Sequence, residues 1–97
     1  MIPQDIAQVN LRFEFDAAKS KANLAKHGID FEIAQDLWRD VEGLLVPARY
    51  ANEAGKLLIA QREGKLWTPI FTERDDATRI ISVRRARDNE RMAYYEQ

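Results

Sequence analysis

The sequence predicts an α+β fold in which helices pack on a small antiparallel sheet. Residues 44–83 contain a series of short apolar segments separated by polar turn residues, which is the pattern of a strand meander. A stretch rich in Ala, Lys and Leu precedes this series, and a second helix-forming stretch follows it. Strands joined by short turns pair antiparallel, and helices bury their apolar side against such a sheet.

The N-terminal elements have clear boundary signals. Residues 12–15 alternate polar and apolar side chains, as a short strand does, and Asp16 can cap the helix that follows. Gly28 suits the left-handed position that ends a helix, and Asp30 caps a second helix that should fade near Asp40. This second helix has one apolar stripe, made of Phe31, Ala34, Leu37 and Trp38.

The meander is predicted as four strands, and a last helix runs from about residue 88 to residue 97. The predicted strands cover residues 44–46, 56–62, 66–72 and 78–83. Tight turns are predicted at residues 63–64 and 75–76, with a polar loop at residues 49–55.

The last two strands carry two specific expectations. Pro69 has no N–H to donate to the ladder, which predicts a bulge or an unpaired edge at that point. Strict alternation along the last strand places Ile81 and Val83 on a buried face and Arg84 on the opposite face.

The composition indicates a single domain over all 97 residues, with residues 1–11 as a loosely held lead-in. The sequence has no cysteine and one histidine, which excludes disulfides, thiol nucleophiles and two-histidine metal or acid–base sites. No glycine-rich phosphate loop occurs, so neither a metal nor a cofactor is expected. No signal peptide or membrane-length apolar run is visible, and we expect a cytoplasmic protein.

Basic residues are concentrated near the C-terminal end, although the formal net charge of the chain is −1. Residues 79–91 contain five arginines against two acidic residues, a local net charge of +3. Such a patch can bind phosphate groups even on a nearly neutral chain.

Arginines at the ends of predicted strands are the main candidates for binding a polyanion. Short hairpins bring strand ends together, and clustered guanidiniums can hold a phosphodiester and stabilise the charge that develops as it is cleaved. The same arginines can instead serve only solubility, and Trp67 and Phe71 can either stack on a base or belong to the core. The candidate arginines are Arg62, Arg74, Arg79, Arg84 and Arg85.

Two helices carry further candidates. Lys26 and His27 end the first helix, where the helix dipole favours cations, so they are either a helix-ending pair or a phosphate contact and proton donor. Tyr94 and Tyr95 lie side by side on the last helix, and we expect one to be packed and the other to be available to a ligand or partner.

Three segments of the sequence form a recognisable set. The first starts at residues 13–16 and passes through Lys26-His27-Gly28-Ile29 to residues 31–32, and the second covers residues 66–72 together with Arg74. The third is R-I-I-S-V-R-R-A-R at residues 79–87, followed by Glu90 and Tyr94. In this order they resemble the BrnT-type toxins (the DUF497 family). The K-H-G and R-I-I-S-x-R-R-A blocks are the most specific part of the match.

The resemblance implies a RelE-like fold and a ribonuclease toxin of a bacterial type II toxin–antitoxin pair, which inhibits translation by cleaving RNA. It also implies a BrnA-like ribbon-helix-helix antitoxin, a 2:2 complex, and operator DNA binding through the antitoxin alone. The motif positions together with the candidates above lead us to expect catalytic roles for His27, Lys26, Arg79, Arg84 and Tyr94. RNA-binding roles are expected for Arg62, Arg74, Arg85 and Trp67.

The expected mechanism is metal-independent attack of a ribose 2′-hydroxyl on the adjacent phosphate. Arg84 and Arg79 would stabilise the added charge of the transition state. His27 would protonate the leaving 5′-oxygen, because histidine exchanges protons near neutral pH. Arg84 is expected to matter more than Arg87, whose side chain should point into solvent. The general base is open among three candidates, Lys26, Tyr94 and Glu73.

Two other functions compete with this interpretation. The same basic patch would serve a non-catalytic protein that holds RNA or an antitoxin and acts as a co-repressor through its partner. A direct DNA-binding role is disfavoured, because the first two helices meet at Gly28 and the second has acidic side chains. These acidic residues are Glu32, Asp36 and Asp40.

Overall fold

The sheet and its helices are described for residues 12–47 and 55–97 of a computed structural model. The five strands are β1 (Phe13–Glu14), β2 (Leu44–Pro47), β3 (Lys56–Arg62), β4 (Lys65–Arg74) and β5 (Ala77–Arg85). The three α-helices are α1 (Ala17–His27), α2 (Phe31–Ala34) and α3 (Asp88–Glu96). The predicted lead-in at residues 1–11 and the predicted loop, apart from Gly55, lie outside the described residues.

The sheet is mixed, so the prediction of a wholly antiparallel sheet was wrong at one strand. The strand order is β1-β5-β4-β3-β2, and β2 to β5 form the predicted antiparallel meander. The short β1 pairs parallel to β5, with Phe13 opposite Thr78. The α1 and α2 segments lie between β1 and the meander, so no tight turn joins β1 to β5. The two strands are therefore free to pair in the parallel direction.

The tight turns of the meander fall where the sequence predicts them. Glu63 and Gly64 connect β3 to β4 with φ values of 51° and 79°, the positive values that a type I′ hairpin turn requires. Asp75, at the β4–β5 turn, also has a positive φ, of 56°. Aspartate tolerates this region better than most residues, which explains its place in the turn.

A bulge next to Pro69 changes which side chains of β5 are buried. Pro69 pairs with Val83, Ile70 with Ser82, and Phe71 with Ile80, so Ile81 is an extra residue on β5. The sequence analysis expected a bulge or an unpaired edge at Pro69, whereas the irregularity lies between Ile70 and Phe71 and the extra residue is on β5. The predicted alternation holds for the buried Val83 and was wrong at Ile81. Ile80 and Val83 are 2% and 0% exposed, whereas Ile81 is only partly buried.

The core has two parts, and successive residues of β3 contribute to different parts. Leu58 and Ala60 pack in a cluster with residues of α2 and the 3₁₀ helix that continues it, Gln35–Arg39. Ile59 instead packs with Leu66 of β4 and Tyr94 of α3. Because strand side chains alternate between faces, α2 and α3 lie against opposite faces of the sheet.

The first two helices begin at the predicted caps. Asp16 accepts hydrogen bonds from the N–H groups of Ala18 and Lys19, and Asp30 accepts one from the N–H of Ile33. The second helix ends at Asp40 as predicted, although its second half is a 3₁₀ helix rather than α-helix. The described helices include none that is long and apolar enough to cross a membrane.

One buried side chain ties α1 to β5. The Asn23 amide nitrogen donates to the carbonyls of Val83 and Ile29, at 2.9 and 2.8 Å. The Asn23 carbonyl oxygen accepts from the N–H of Val83 at 3.1 Å. Asn23 therefore occupies the backbone edge of β5 beyond the short β1, and it holds the C-terminal end of α1 against that edge.

Candidate functional site

A groove of about 430 Å³ lies where the end of α1 meets β5. It combines basic side chains with an apolar and hydroxyl-bearing floor. Its lining residues are Lys26, His27, Ile70, Ile81, Ser82, Arg84 and Arg87.

Local structure explains why the basic residues of α1 reach this groove. Gly28 has φ 85°, and its N–H donates to the Leu24 carbonyl at 2.9 Å, which ends the helix just after His27. Asn23 precedes His27 by four residues and so lies on the same side of α1. Since Asn23 is bonded to Val83, the last turn of α1 is placed beside the next residue of β5, Arg84.

Arg84 forms a two-point ion pair with Glu90 of α3. Its two terminal nitrogens donate to Glu90 Oε1 and Oε2 at 2.8 and 3.0 Å. The Arg84 and Glu90 side chains are 14% and 7% exposed, so this is a mainly buried pair rather than a surface contact. The planar fork fixes the guanidinium in one orientation at the wall of the groove.

Glu90 Oε1 accepts two further hydrogen bonds, from the Thr68 hydroxyl at 2.9 Å and from the Arg87 N–H at 2.8 Å. Burial by itself raises the pKa of Glu90. The hydrogen bonds from Arg84, Arg87 and Thr68 and the charge of Arg84 outweigh it and hold the pKa below its ordinary value. Glu90 is therefore the ionised centre that joins β4, β5 and the start of α3.

Arg87 starts α3 and lies beside Arg84 at the groove. Arginine at this N-cap predicts the loss of the capping box, but Glu90 still supplies half of it by accepting from the Arg87 N–H. Arg87 is exposed, as the sequence analysis expected, and it also lines the same groove as Arg84. Arg87 is therefore part of the candidate site and cannot serve as a control for Arg84.

Tyr94 lies outside the groove. Its hydroxyl donates to Asp40 Oδ2 at 2.7 Å, and its ring belongs to the core cluster of Ile59 and Leu66. Burial, followed by the hydrogen bond to Asp40 and the charge of that carboxylate, raises the pKa of Tyr94 well above its ordinary value. Tyr95 is 67% exposed, so one tyrosine is packed and the other accessible, as predicted.

The remaining candidate arginines are spread along the sheet instead of forming one cluster. Arg79 precedes Arg84 by five residues, about 15 Å along an extended strand, and pairs with Glu14 at 3.4 Å. Arg74 is exposed at the β4–β5 hairpin, opposite Ala77. Arg62, the last residue of β3, contacts Asp36 and Glu63 at 3.2 and 3.4 Å.

Trp67 and Arg85 contact each other on the face of the sheet that α2 covers. The Arg85 guanidinium lies over the Trp67 ring, 5.2 Å from its centroid. The ring is 8% exposed and belongs to the same core cluster as Phe71. Of the two interpretations of Trp67 and Phe71, the structure supports packing in the core. Trp67 could stack on a base only if its ring left the core.

The groove thus unites three of the predicted catalytic residues, Lys26, His27 and Arg84, with residues that the sequence analysis did not select. Glu90 was given no role in the predicted site, although its place three residues after the N-cap was a usable signal. Ile81 was assigned to the buried face, because the sequence does not show that the extra residue of the bulge lies on β5. Across residues 12–47 and 55–97, no group of three or more His, Asp or Glu side chains is arranged to hold a metal ion.

The groove is thus lined by His27 and three cationic side chains, and one of these, Arg84, is held by a mainly buried ion pair with Glu90. The sequence matches the family model "Ribonuclease toxin, BrnT, of type II toxin-antitoxin system" over residues 15–90, well over half of the chain. The chain therefore belongs to the BrnT family of ribonuclease toxins, and its family implies an antitoxin partner. No curated protein matches the chain in sequence.

Proposed function

We propose that this protein binds single-stranded RNA in the groove between α1 and β5 and cleaves it without a metal ion, inhibiting translation in the cytoplasm. The observation that carries this proposal is the meeting of His27 and Lys26 from α1 with Arg84 from β5 and Arg87 at the start of α3. Together they combine a proton-exchanging side chain with three permanent or near-permanent cations, which is what phosphodiester cleavage needs.

The reaction is an internal transfer at phosphorus. A base takes the proton of a ribose 2′-hydroxyl, the 2′-oxygen bonds to the adjacent phosphorus, and the bond from phosphorus to the 5′-oxygen breaks. An acid returns a proton to that 5′-oxygen. The products are a 2′,3′-cyclic phosphate and a 5′-hydroxyl end, with no oxidant or reductant consumed.

The groove suggests roles for its polar residues. His27 is the acid at the leaving 5′-oxygen, because it lines the groove and an imidazole is the side chain most often used as a general acid or base. Arg84, oriented by Glu90, stabilises the charge that develops on the phosphate. Arg79, Arg74, Arg62 and Arg85 would contact the RNA backbone outside the groove.

The three candidate bases differ in their surroundings. Tyr94 is disfavoured by its raised pKa and by its hydrogen bond to Asp40. Glu73 pairs with Lys56 at 2.6 Å and is absent from the lining of the groove. Lys26 is the one of the three that lines the groove, which favours it as base or as phosphate contact.

RNA cleavage in EDTA tests the proposed reaction. Purified protein should shorten single-stranded RNA in the presence of EDTA and leave 2′,3′-cyclic phosphate and 5′-hydroxyl ends. Binding without cleavage, with or without added Mg²⁺, would instead support the non-catalytic co-repressor. The structure of the Arg84–Glu90 pair favours this second function. Both terminal nitrogens of Arg84 already donate to Glu90, as they would in a purely structural pair.

Replacing Lys26 with alanine is expected to weaken RNA binding about three- to tenfold at low salt. Removal of one phosphate-binding cation should also reduce the slope of log affinity against log salt by about 0.7, because fewer counterions are released. Lys21→Ala is the matched control, since Lys21 is exposed on the same helix and does not line the groove. Equal salt slopes for the two variants would show that Lys26 does not bind the RNA.

The antitoxin is proposed to be a BrnA-like ribbon-helix-helix protein that forms a 2:2 complex and binds operator DNA for the pair. Its acidic surface would cover the basic groove. The association rate should therefore fall steeply with ionic strength, because screening removes the steering between opposite charges. A stopped-flow rate that is the same at 50 and 500 mM salt would show that the antitoxin docks elsewhere.

A further inference from the structure

The floor of the groove is unusual for a site that binds only phosphate. Ile81 and Ser82 are consecutive residues of β5, yet both line the groove and both are partly exposed. In a regular strand, neighbouring side chains point to opposite faces. The bulge opposite Ile70 and Phe71 leaves Ile81 without a partner residue on β4, and in this way it directs an isoleucine to the groove.

The surroundings of Ile81 are cationic. Lys26 and His27 approach from the end of α1, and Arg84 and Arg87 from the end of β5 and the loop after it. Exposed apolar surface beside cations gains nothing from binding free phosphate, but it matches a nucleotide, which has a flat apolar base attached to an anionic backbone. The volume of about 430 Å³ lies within the range of roughly 300–1,000 Å³ that is usual for small-ligand sites.

We infer that Ile81 and Ser82 form a nucleobase subsite, in which an unpaired RNA base packs on Ile81 while the cations hold its phosphates. This inference rests on the proposed function and extends it from cleavage of RNA to recognition of a splayed-out base. Bases in a duplex are stacked and paired and do not reach such a floor, so the substrate is single-stranded. Ser82 can donate a hydrogen bond to the base edge and accept one from it, which makes it the residue that discriminates between bases.

An acidic protein segment is the competing occupant. It would satisfy Lys26, Arg84 and Arg87 but would not need an apolar floor. The inference therefore requires binding to depend on the base as well as on the charge.

The test compares three single-stranded probes that cannot be cleaved. The first is a labelled octamer of 2′-deoxynucleotides of mixed sequence, which lacks the attacking hydroxyl. The second is an octamer of abasic sites on the same phosphate backbone, and the third is an octapeptide of aspartate. Fluorescence anisotropy at low salt measures the dissociation constant of each for the wild-type protein and for Ile81→Ser.

The wild-type protein should bind the nucleotide octamer more tightly than the abasic octamer. Ile81→Ser should weaken binding of the nucleotide octamer about fivefold, because the base no longer packs on a partly buried aliphatic side chain. The same substitution should leave the abasic and aspartate probes unchanged. Ile81→Thr keeps the branched shape of the side chain and should show the same selective effect, so the result does not depend on one variant folding well.

Ile33→Ser is the matched control, because Ile33 is 41% exposed on α2 and does not line the groove. It should leave all three dissociation constants unchanged. Equal weakening of the nucleotide and abasic probes by Ile81→Ser would overturn the subsite, as would wild-type binding of the aspartate peptide as tight as that of the octamer. The absence of RNA cleavage would overturn the proposed function separately, since none of these probes is cleaved.

Discussion

Glu90→Ala is expected to lower the free energy of unfolding by about 3–5 kcal/mol. The substitution removes the two-point acceptor of the mainly buried Arg84 guanidinium, and breaking a buried ion pair by removing one partner costs about this much. It also removes the acceptor of the Thr68 hydroxyl and of the Arg87 N–H. Chemical denaturation with a two-state fit measures the loss.

The control for this variant is Glu96→Ala, at the exposed end of the same helix, which should change stability by no more than about 0.5 kcal/mol. A double-mutant cycle with Arg84→Ala should give a loss smaller than the sum of the two single losses, because the second substitution removes the orphaned partner. Additive losses would show that the Arg84–Glu90 pair does not couple the strand to the helix.

The same pair predicts a dependence of stability on pH. The folded pKa of Glu90 lies below its unfolded value, so the pair stabilises the protein fully above the ordinary glutamate range, near pH 4.3. This contribution is lost as the pH falls through the lower, folded pKa. The free energy of unfolding of the wild-type protein, measured from pH 7 to pH 3, should decrease as Glu90 becomes protonated. The Glu90→Gln variant should lack the part of this decrease that comes from Glu90.

His27→Gln is expected to reduce RNA cleavage about 10²–10⁴-fold, the usual contribution of a positioned general acid or base. Glutamine keeps the capacity for hydrogen bonds but cannot transfer a proton near neutral pH. Because His27 is the last residue of α1 and is partly exposed, the fold should be unaffected. Single-turnover cleavage in EDTA, with circular dichroism to verify folding, measures the effect.

The pH profile separates a proton donor from a simple contact. If His27 protonates the 5′-oxygen, wild-type kcat/KM declines as the pH rises through the titration range of histidine, and His27→Gln loses that limb. Lys21→Ala, on the same helix but outside the groove, should keep both rate and profile. Unchanged cleavage by His27→Gln would place the acid elsewhere.

Local chemistry explains why much of the architecture was predictable. The caps at Asp16 and Asp30 and the positive φ at Gly28 depend on a few neighbouring residues, and all three appear as expected. The K-H-G block and the R-I-I-S-x-R-R-A block were sufficient for the resemblance to BrnT toxins, which the family match confirms.

The candidate site was only partly predictable, because its members depend on strand register. Lys26 and His27 could be selected from their place at a helix end, and Arg84 from its place at a strand end. Arg79 was selected by the same reasoning, but it lies five residues before Arg84 on β5, pairs with Glu14 and does not line the groove. The end of a strand thus identifies candidates without deciding which of them meet.

The sequence by itself determined the helices and their caps, the antiparallel meander, the family and three residues of the groove, since each depends on short-range patterns. Only the tertiary structure decided that β1 runs parallel to β5, that Glu90 holds Arg84, and that Arg87 and Ile81 line the groove. These features arise from contacts between distant segments. A single extra residue in β5 changes the face that a side chain occupies, and the alternation of apolar residues does not reveal such a shift.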